Sequence, residues 1–437
     1  MPAGPADVTE AHHVVILGGG VAGVEIATRL AGRTADGRRM KVALVDRETA
    51  HVWKPMLHTI AAGTRDVHQQ QTAYVAQART HGFVFQPGEV LGIDRGVRRV
   101  RLAPWLSAGG QELLPAREVP YDTLVLALGS TANDFGTPGV KEHCRTIDSR
   151  RQAIEFNDEV RLRILQSVTK DEPLAIGIVG GGATGVELAA ELVELATLAE
   201  SYGATGMSRR LGVTLVESGD RLLAAFPERI AQASRSRLEE LGVTVKTGAR
   251  VMAAEPEGFR LSDGSLVVAG LKVWAAGVKA PDAMASLDGL EMTRTHQVVV
   301  GPTLQATQDA DIYALGDCSS LTLAGQGRPL PPTAQVAHQQ ARYLARWLPD
   351  LLAGRSVPEF SYRDFGSLVS LGGFDAYGSL GKFGFFKGGF IRGRVAQLGH
   401  AMLYRSHQAR LHGFWHGSLL WLVDRINARV RPAIRVD

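Results

Sequence analysis

The sequence predicts an α/β fold made of two similar strand–turn–helix domains and a C-terminal membrane-associating region. Three observations carry this expectation: two glycine-rich turns of one design 162 residues apart, an acidic residue closing the next strand after each turn, and a basic tail with an apolar stripe. The first turn follows Val14-Val15-Ile16-Leu17 and reads Gly18-Gly19-Gly20-Val21-Ala22-Gly23. The second follows Ile176-Gly177-Ile178-Val179 and reads Gly180-Gly181-Gly182-Ala183-Thr184-Gly185. In each, Gly-x-Gly-x-x-Gly lets the backbone turn sharply and bring a pyrophosphate onto the amides of a helix N-terminus. One such turn is a weak signal. Two of them, each behind a β run, predict two Rossmann-like dinucleotide-binding domains. A flavin and a nicotinamide are the usual pair, so the chain reads as a redox enzyme.

The remaining elements follow in order. Strand Lys41–Val45 ends at Asp46, 23 residues past Gly23, close to the ~20 residues expected of a ribose-binding acid. Arg47 beside it is a further cofactor-binding candidate. Tyr121–Leu128 reads as a buried strand ending in a turn at Gly129. A second domain begins after the polar stretch Asp148–Arg151. Its turn leads into a long helix, a Gly/Ser-rich connector (Tyr202–Arg210) and strand Val213–Val216, closed by Glu217. That acid lies 32 residues past Gly185, and the connector accounts for the excess. Gly242–Val245 and Lys272–Gly277 supply more strands, the latter closing at Ala276 and Gly277. Asp311–Leu315 is a strand ending in Gly316-Asp317, where a carboxylate would accept from flavin ribityl hydroxyls. Pro331-Pro332 precedes a helix beginning near Thr333. Beyond about 355 the glycine and aromatic content, as in Phe383-Gly384-Phe385-Phe386-Lys387-Gly388-Gly389-Phe390, favours strands and turns. Expected domains are thus 1–150 with 300–350, 151–299, and 351–437.

Composition sets the limits. With 437 residues, 45% hydrophobic and 21% charged, the chain has an ordinary globular balance. Residues 401–437 hold six arginines (405, 410, 425, 429, 431, 435) against Asp424 and Asp437, and so carry the whole net charge of +4. Nucleic acid is therefore not an expected partner, whereas an anionic lipid surface met by the tail is. A last helix, roughly 403–430, places Leu411, Trp415, Leu419, Leu422, Ile426 and Val430 on one face, widened by Phe414 and Trp421. Trp and Arg around an apolar stripe fit insertion at the headgroup boundary; docking on the protein's own core or pairing of two subunits is the alternative. No apolar run approaches the ~18 residues of a spanning helix, and residues 1–13 carry no secretory signal pattern. The two cysteines, Cys144 and Cys318, form neither C-x-x-C nor a metal-ligand spacing, so no metal is expected and a reducing compartment is.

With turns, acids and the Gly-Asp strand placed, the sequence resembles the type II NADH:quinone oxidoreductases, single-subunit respiratory NADH dehydrogenases that do not pump protons, and in particular the enterobacterial branch. Tyr121–Gly139 (YDTLVLALGSTANDFGTPG), Ile178–Leu192 (IVGGGATGVELAAEL), Val273–Asp282 (VWAAGVKAPD), Asp311–Ser319 (DIYALGDCS) and LYRSHQARLHG carry the resemblance, which runs along almost the whole chain. It implies non-covalent FAD on the first domain, at Gly18, Gly20, Val21, Ala22, Gly23, Asp46, Arg47, Gly129 and Asp317. It implies NADH on the second, at Gly180, Gly182, Thr184, Gly185, Glu217, Ala276 and Gly277. Glu217 would accept from ribose hydroxyls and repel a 2′-phosphate, with Arg221 placed to soften that repulsion. Ala334-Gln335-Val336-Ala337-His338-Gln339-Gln340 is similar to the family's quinone-site motif, and i, i+4 spacing puts Gln335 and Gln339 on one helical face. By the same resemblance Glu187 would relay a proton; on its own it reads as a helix-dipole partner. In Trp53-Lys54-Pro55-Met56-Leu57 the chain departs from the family, which commonly has glutamine where Lys54 stands.

The implied enzyme is peripheral, on the cytoplasmic face of the bacterial inner membrane, and passes two electrons to ubiquinone or menaquinone. The related sulfide:quinone oxidoreductases need flavin-side cysteines, which this chain lacks as a pair. A flavoprotein with an interaction role, like apoptosis-inducing factor, would lack the glutamines.

Overall fold

The computed structural model describes residues 11–430 apart from 108, 288, 374, 381, 384–385 and 388–389. The elements that position the site are, in chain order, β1 (His12–Leu17), α1 (Val21–Leu30), β2 (Arg38–Asp46), β3 (Val84–Pro87), β4 (Thr123–Leu126), α2 (Arg150–Lys170), β5 (Leu174–Val179), α3 (Ala183–Ser201), β6 (Leu211–Val216), β7 (Thr244–Lys246), β8 (Leu271–Trp274), β9 (Asp309–Ala314), α4 (Ala334–Leu352), β10 (Gly366–Leu371), β11 (Asp375–Leu380), α5 (Arg394–His412) and α6 (Phe414–Val430). Contacts divide the chain into two units. One comprises residues up to Val52, Gln71–Thr131 and Lys279–Tyr362; the other comprises Trp53–Gln70, Ala132–Val278 and everything from Arg363 on.

In the first unit five parallel strands lie in the order β3-β2-β1-β4-β9. Val14 of β1 pairs with Val42 on one side and Thr123 on the other. Val14, Val15, Ile16 and Leu17 are all buried, as a strand covered on both faces requires. The chain leaves β1 in opposite directions across the sheet, so the crevice beyond its C-terminal end, where Gly18 begins, is the place for a ligand.

The second unit repeats this plan with β7-β6-β5-β8, again all parallel and with the turn-bearing strand inside. Both units also carry a three-stranded antiparallel sheet, formed by Val90–Asp94, Arg99–Leu102 and Arg117–Pro120 in one and by Val251–Glu255, Gly258–Leu261 and Leu266–Val268 in the other. In the second unit Phe259 and Val267 of that small sheet pack with Val179, Val216 and Trp274 of the large one.

Three features differ from the sequence-based expectation. The polar stretch at 148–151 is more than a boundary. Ser149 accepts from the Gln152 amide while the Gln152 side chain accepts from the Ser149 amide, a capping box that starts the 21-residue helix α2. The residues expected as a separate C-terminal domain group with the second unit from Arg363 on. Finally, the single helix expected over 403–430 is two. The chain breaks at Gly413 (φ 80°, ψ 163°), a conformation that side chains strongly disfavour. Helix α6 then returns along α5, with Gly417 against Ala409 and an Arg405–Asp424 ion pair of 2.7 Å. The apolar stripe is divided accordingly: Leu411 is buried, whereas Trp415, Leu419, Leu422, Ile426 and Val430 are exposed. Of the tail's arginines, Arg405 is engaged within this helix pair, and Arg431 and Arg435 lie outside the described residues. No helix among the described residues is long and apolar enough to cross a membrane.

Candidate dinucleotide and proton-transfer sites

Each glycine turn is built by close approach. Gly18 has φ +99°, and a Cβ there would stand 2.4 Å from the Ala127 carbonyl oxygen; Gly180 has φ +115°, with the Ala275 oxygen at 2.2 Å. A Cβ on Gly23 or Gly185 would collide with the carbonyl oxygen of Gly18 or Gly180, at 1.8 and 2.0 Å. Gly20 and Gly182, by contrast, face open space. They are the N-caps of α1 and α3, neither with a capping side chain, whereas Ser149 and Thr333 cap α2 and α4. An uncapped helix N-terminus behind a glycine that leaves room is what a pyrophosphate needs.

The acids close each turn in the same way. Asp46 accepts from the Gly19 amide at 2.5 Å and the Glu48 amide at 2.7 Å; Glu217 accepts from the Gly181 and Gly219 amides, both at 2.6 Å. Burial pushes the Asp46 carboxyl up, against the pull of those amides. Arg47 is more than half exposed, 3.9 Å from Glu89. Asp317 accepts from the Ser130 hydroxyl at 2.7 Å, just after Gly129 (φ +70°), and its carbonyl accepts from Gln297 at 2.9 Å. Ala276 and Gly277 follow β8 as Leu128 and Gly129 follow β4, with Gly277 at φ +150°. Thr184 is exposed in the first turn of α3. Arg221 is not turned toward Glu217; it donates to the carbonyls of Phe226 (3.1 Å) and Ala224 (2.9 Å) in its own loop.

Gln335 and Gln339 are half-buried in the first two turns of α4, which Thr333 caps through the Val336 amide. The neighbouring Gln340 is buried and accepts from the Gly316 amide at 2.7 Å, tying this helix to the Asp317 turn. His338 is bonded to Glu25 of α1. Lys54 stands 3.6 Å from Asp148, and Trp53 stacks on His407 with ring centres 5.7 Å apart.

Glu187 lies inside the second unit rather than at an open helix end. Its Oε1 accepts from the Ser370 amide at 3.0 Å and its Oε2 is 3.5 Å from His58 Nδ1. Burial pushes its carboxyl up to about 8, opposed by the Ser370 amide and reinforced by Glu191. Such a group is protonated at neutral pH and near the point of release, the property of a proton donor. His58, Ser370, Tyr74, His51, Ser130 and Gln297 were not singled out from the sequence, because only the tertiary fold brings them to these atoms. Burial raises the Cys318 thiol to about 11 and the Cys144 thiol to about 12, which disfavours the reactive thiolate, and both are free.

Residues 12–341 match the pyridine nucleotide-disulphide oxidoreductase family. Along nearly its full length the chain is 40% identical to the type II NADH:quinone oxidoreductase of Haemophilus influenzae, covering 97% of this chain and 99% of that one. The chain belongs to the type II NADH:quinone oxidoreductase family. The Staphylococcus aureus enzyme of the same family is 30% identical over 84% of this chain and 89% of its own. In fold, the chain matches NDH2 from Plasmodium falciparum in complex with NADH (TM-score 0.81, 18% identity, 98% of this chain and 100% of that one). It also matches the sulfide:quinone oxidoreductase of Aquifex aeolicus (TM-score 0.71, 18% identity, 98% of each).

Proposed function

We propose that this chain oxidises NADH and reduces a membrane quinone by two electrons through bound FAD, without moving protons across the membrane. The observation that carries this reading is the pair of glycine turns, each with an open helix N-terminus and an acid bonded to its second glycine. The residues present fit both dinucleotides. Gly18, Gly20, Val21, Ala22, Gly23, Asp46, Arg47, Gly129 and Asp317 would hold FAD; Gly180, Gly182, Thr184, Gly185, Glu217, Ala276 and Gly277 would hold NADH. FAD, when bound, supplies a two-electron carrier between a hydride donor and quinone. The protein's share is to bind, orient and manage protons. Overall, NADH, quinone and one solvent proton give NAD⁺ and quinol. Glu187 supplies that proton, because burial keeps it protonated until about pH 8. Gln335 and Gln339 would donate amide hydrogens to a quinone carbonyl. With Arg221 committed to its own loop, Glu217 is left to favour NADH over NADPH.

The exposed face of α6, with Trp415, Leu419, Ile426 and Val430, would lie in the headgroup layer on the cytoplasmic face of the membrane. Deleting residues from 414 on is expected to release the protein from membranes while NADH still reduces a soluble dye. Continued sedimentation with membranes would refute the attachment, and a change from dimer to monomer would assign the face to subunit pairing. The electron route is tested by recording the flavin spectrum, bleaching it with NADH or NADPH, and adding ubiquinone or menaquinone analogues. A bleached flavin that quinone leaves unoxidised would refute the route.

A further inference from the structure

Helix α3 carries two more carboxylates beyond Glu187, at i+4 and i+7. Those spacings place Glu187, Glu191 and Glu194 along one face. Glu187 and Glu191 are buried, at 7% and 5% exposure, and Glu194 is half-buried. Each has its own partner in the second unit: the Ser370 amide and His58 for Glu187, the Thr64 hydroxyl for Glu191, and the Gly373 amide at 2.6 Å for Glu194. Stability alone would not select this arrangement, because buried carboxyls cost more than apolar side chains of like size and like charges at i, i+4 repel.

We infer that Glu191 passes protons from the solvent side, taken in at Glu194, to Glu187. The inference rests on the reading of Glu187 as the proton donor to quinone. The step needs no other reactant. One proton leaves the Glu187 carboxyl for the reduced quinone's oxygen, the proton of Glu191 replaces it, and solvent recharges Glu191 by way of Glu194. The net uptake is the single proton that quinol formation requires beyond the hydride. At i, i+4 the Cβ atoms are about 5–6 Å apart, a gap that carboxyl rotation or one bridging water spans.

Among the described residues, His58 and Arg65 of the 53–70 segment and Glu194 of α3 itself face this column, while β10 contributes the Ser370 amide, its hydroxyl being bonded to the Gly372 carbonyl. Burial raises Glu191 to about 7, with Glu194 adding to the rise and Thr64 and Arg65 opposing it. Donor and relay thus change charge in adjacent pH ranges, and Glu187 and Glu191 lose their protons as pH climbs through 7 to 8.

The test uses the flavin-loaded enzyme and two stopped-flow rates: bleaching by NADH as the reference, and reoxidation by a quinone analogue across pH 5.5–9 (a range spanning about one unit beyond both carboxyls). Glu191→Gln is expected to slow reoxidation about tenfold at pH 7 and to raise its solvent deuterium isotope effect, while Glu191→Asp recovers part of the rate. Thr64→Val removes a hydroxyl that favours the charged carboxylate, so the alkaline limb should move to higher pH. If Glu187→Gln slows reoxidation but Glu191→Gln and Thr64→Val leave both rate and profile unchanged, the relay is overturned and the donor stands. If Glu187→Gln also changes nothing, the donor reading falls and the relay with it.

Discussion

The two glycine turns share a backbone and differ in what closes over them. In the first, the Gly19 carbonyl accepts from the Tyr74 hydroxyl and His51 Nδ1, both at 2.8 Å, so side chains from outside the turn hold it down. In the second, the Gly181 carbonyl accepts from the backbone amide of Leu223, at 2.7 Å, in the loop after Glu217. A turn clamped by a buried tyrosine and a buried histidine suits a cofactor that stays. A turn bordered by its own loop suits a substrate that exchanges each cycle. The helices that follow diverge in the same way. Glu25 and Glu187 occupy equivalent places after Gly23 and Gly185. Glu25 is bonded to Arg29 and His338, whereas Glu187 meets an amide, a histidine and another carboxyl. One sequence pattern thus yields a structural ion pair in one unit and a titrating acid in the other.

Alanine at the first glycine of each turn should break this comparison most forcefully. Gly18→Ala is expected to yield protein without visible flavin absorbance. Gly180→Ala should retain flavin but raise the KM for NADH by about a hundredfold, the loss of roughly 3 kcal/mol of binding. Flavin loss from Gly180→Ala with retention in Gly18→Ala would reverse the assignment.

The paired glutamates come next. Glu25→Gln removes the carboxylate from a half-exposed pair with Arg29 and should destabilise the fold by about 1 kcal/mol at pH 7. Glu187→Gln should instead stabilise it, in a pH-dependent manner. The unfolded carboxyl ionises near 4.5 and the folded one near 8, so the native enzyme loses stability as pH rises between them and loses no more above. The melting-temperature gain of Glu187→Gln should therefore be absent at pH 4, grow to pH 8 and then level off. A gain independent of pH would show that the acid is not held protonated.

Glu217→Gln should shift the preference for NADH over NADPH by about tenfold, near 1.4 kcal/mol, read as the ratio of kcat/KM values. No change would show that Arg221 or the loop, not this carboxylate, sets specificity. The smallest effect is expected of Tyr74→Phe: about 1 kcal/mol of stability, with faster flavin loss on dilution and an unchanged KM for NADH.

Much of the site was legible because its requirements are local. A turn that brings Ala127 or Ala275 within reach of a Cβ admits only glycine, so the pattern shows in sequence. The acids at the ends of β2 and just after β6 are local in the same way, each bonded to the second glycine of its turn. Helix α2 was also legible in principle, since Ser149 and Gln152 form a capping box, but its polar start reads equally as a linker. The break at Gly413 was hidden by the periodicity itself, because Leu411 and Trp415 stay in step across it while the chain reverses.

The sequence by itself determined the two glycine turns, the acids that close them and the family, because each rests on residues that neighbour one another along the chain. Only the tertiary structure decided which partners each glutamate meets, where Arg221 points and what clamps each turn. Those depend on desolvation and on partners such as His58, Ser370, Tyr74 and Phe226. Burial and through-space electrostatics exist only once the chain has folded.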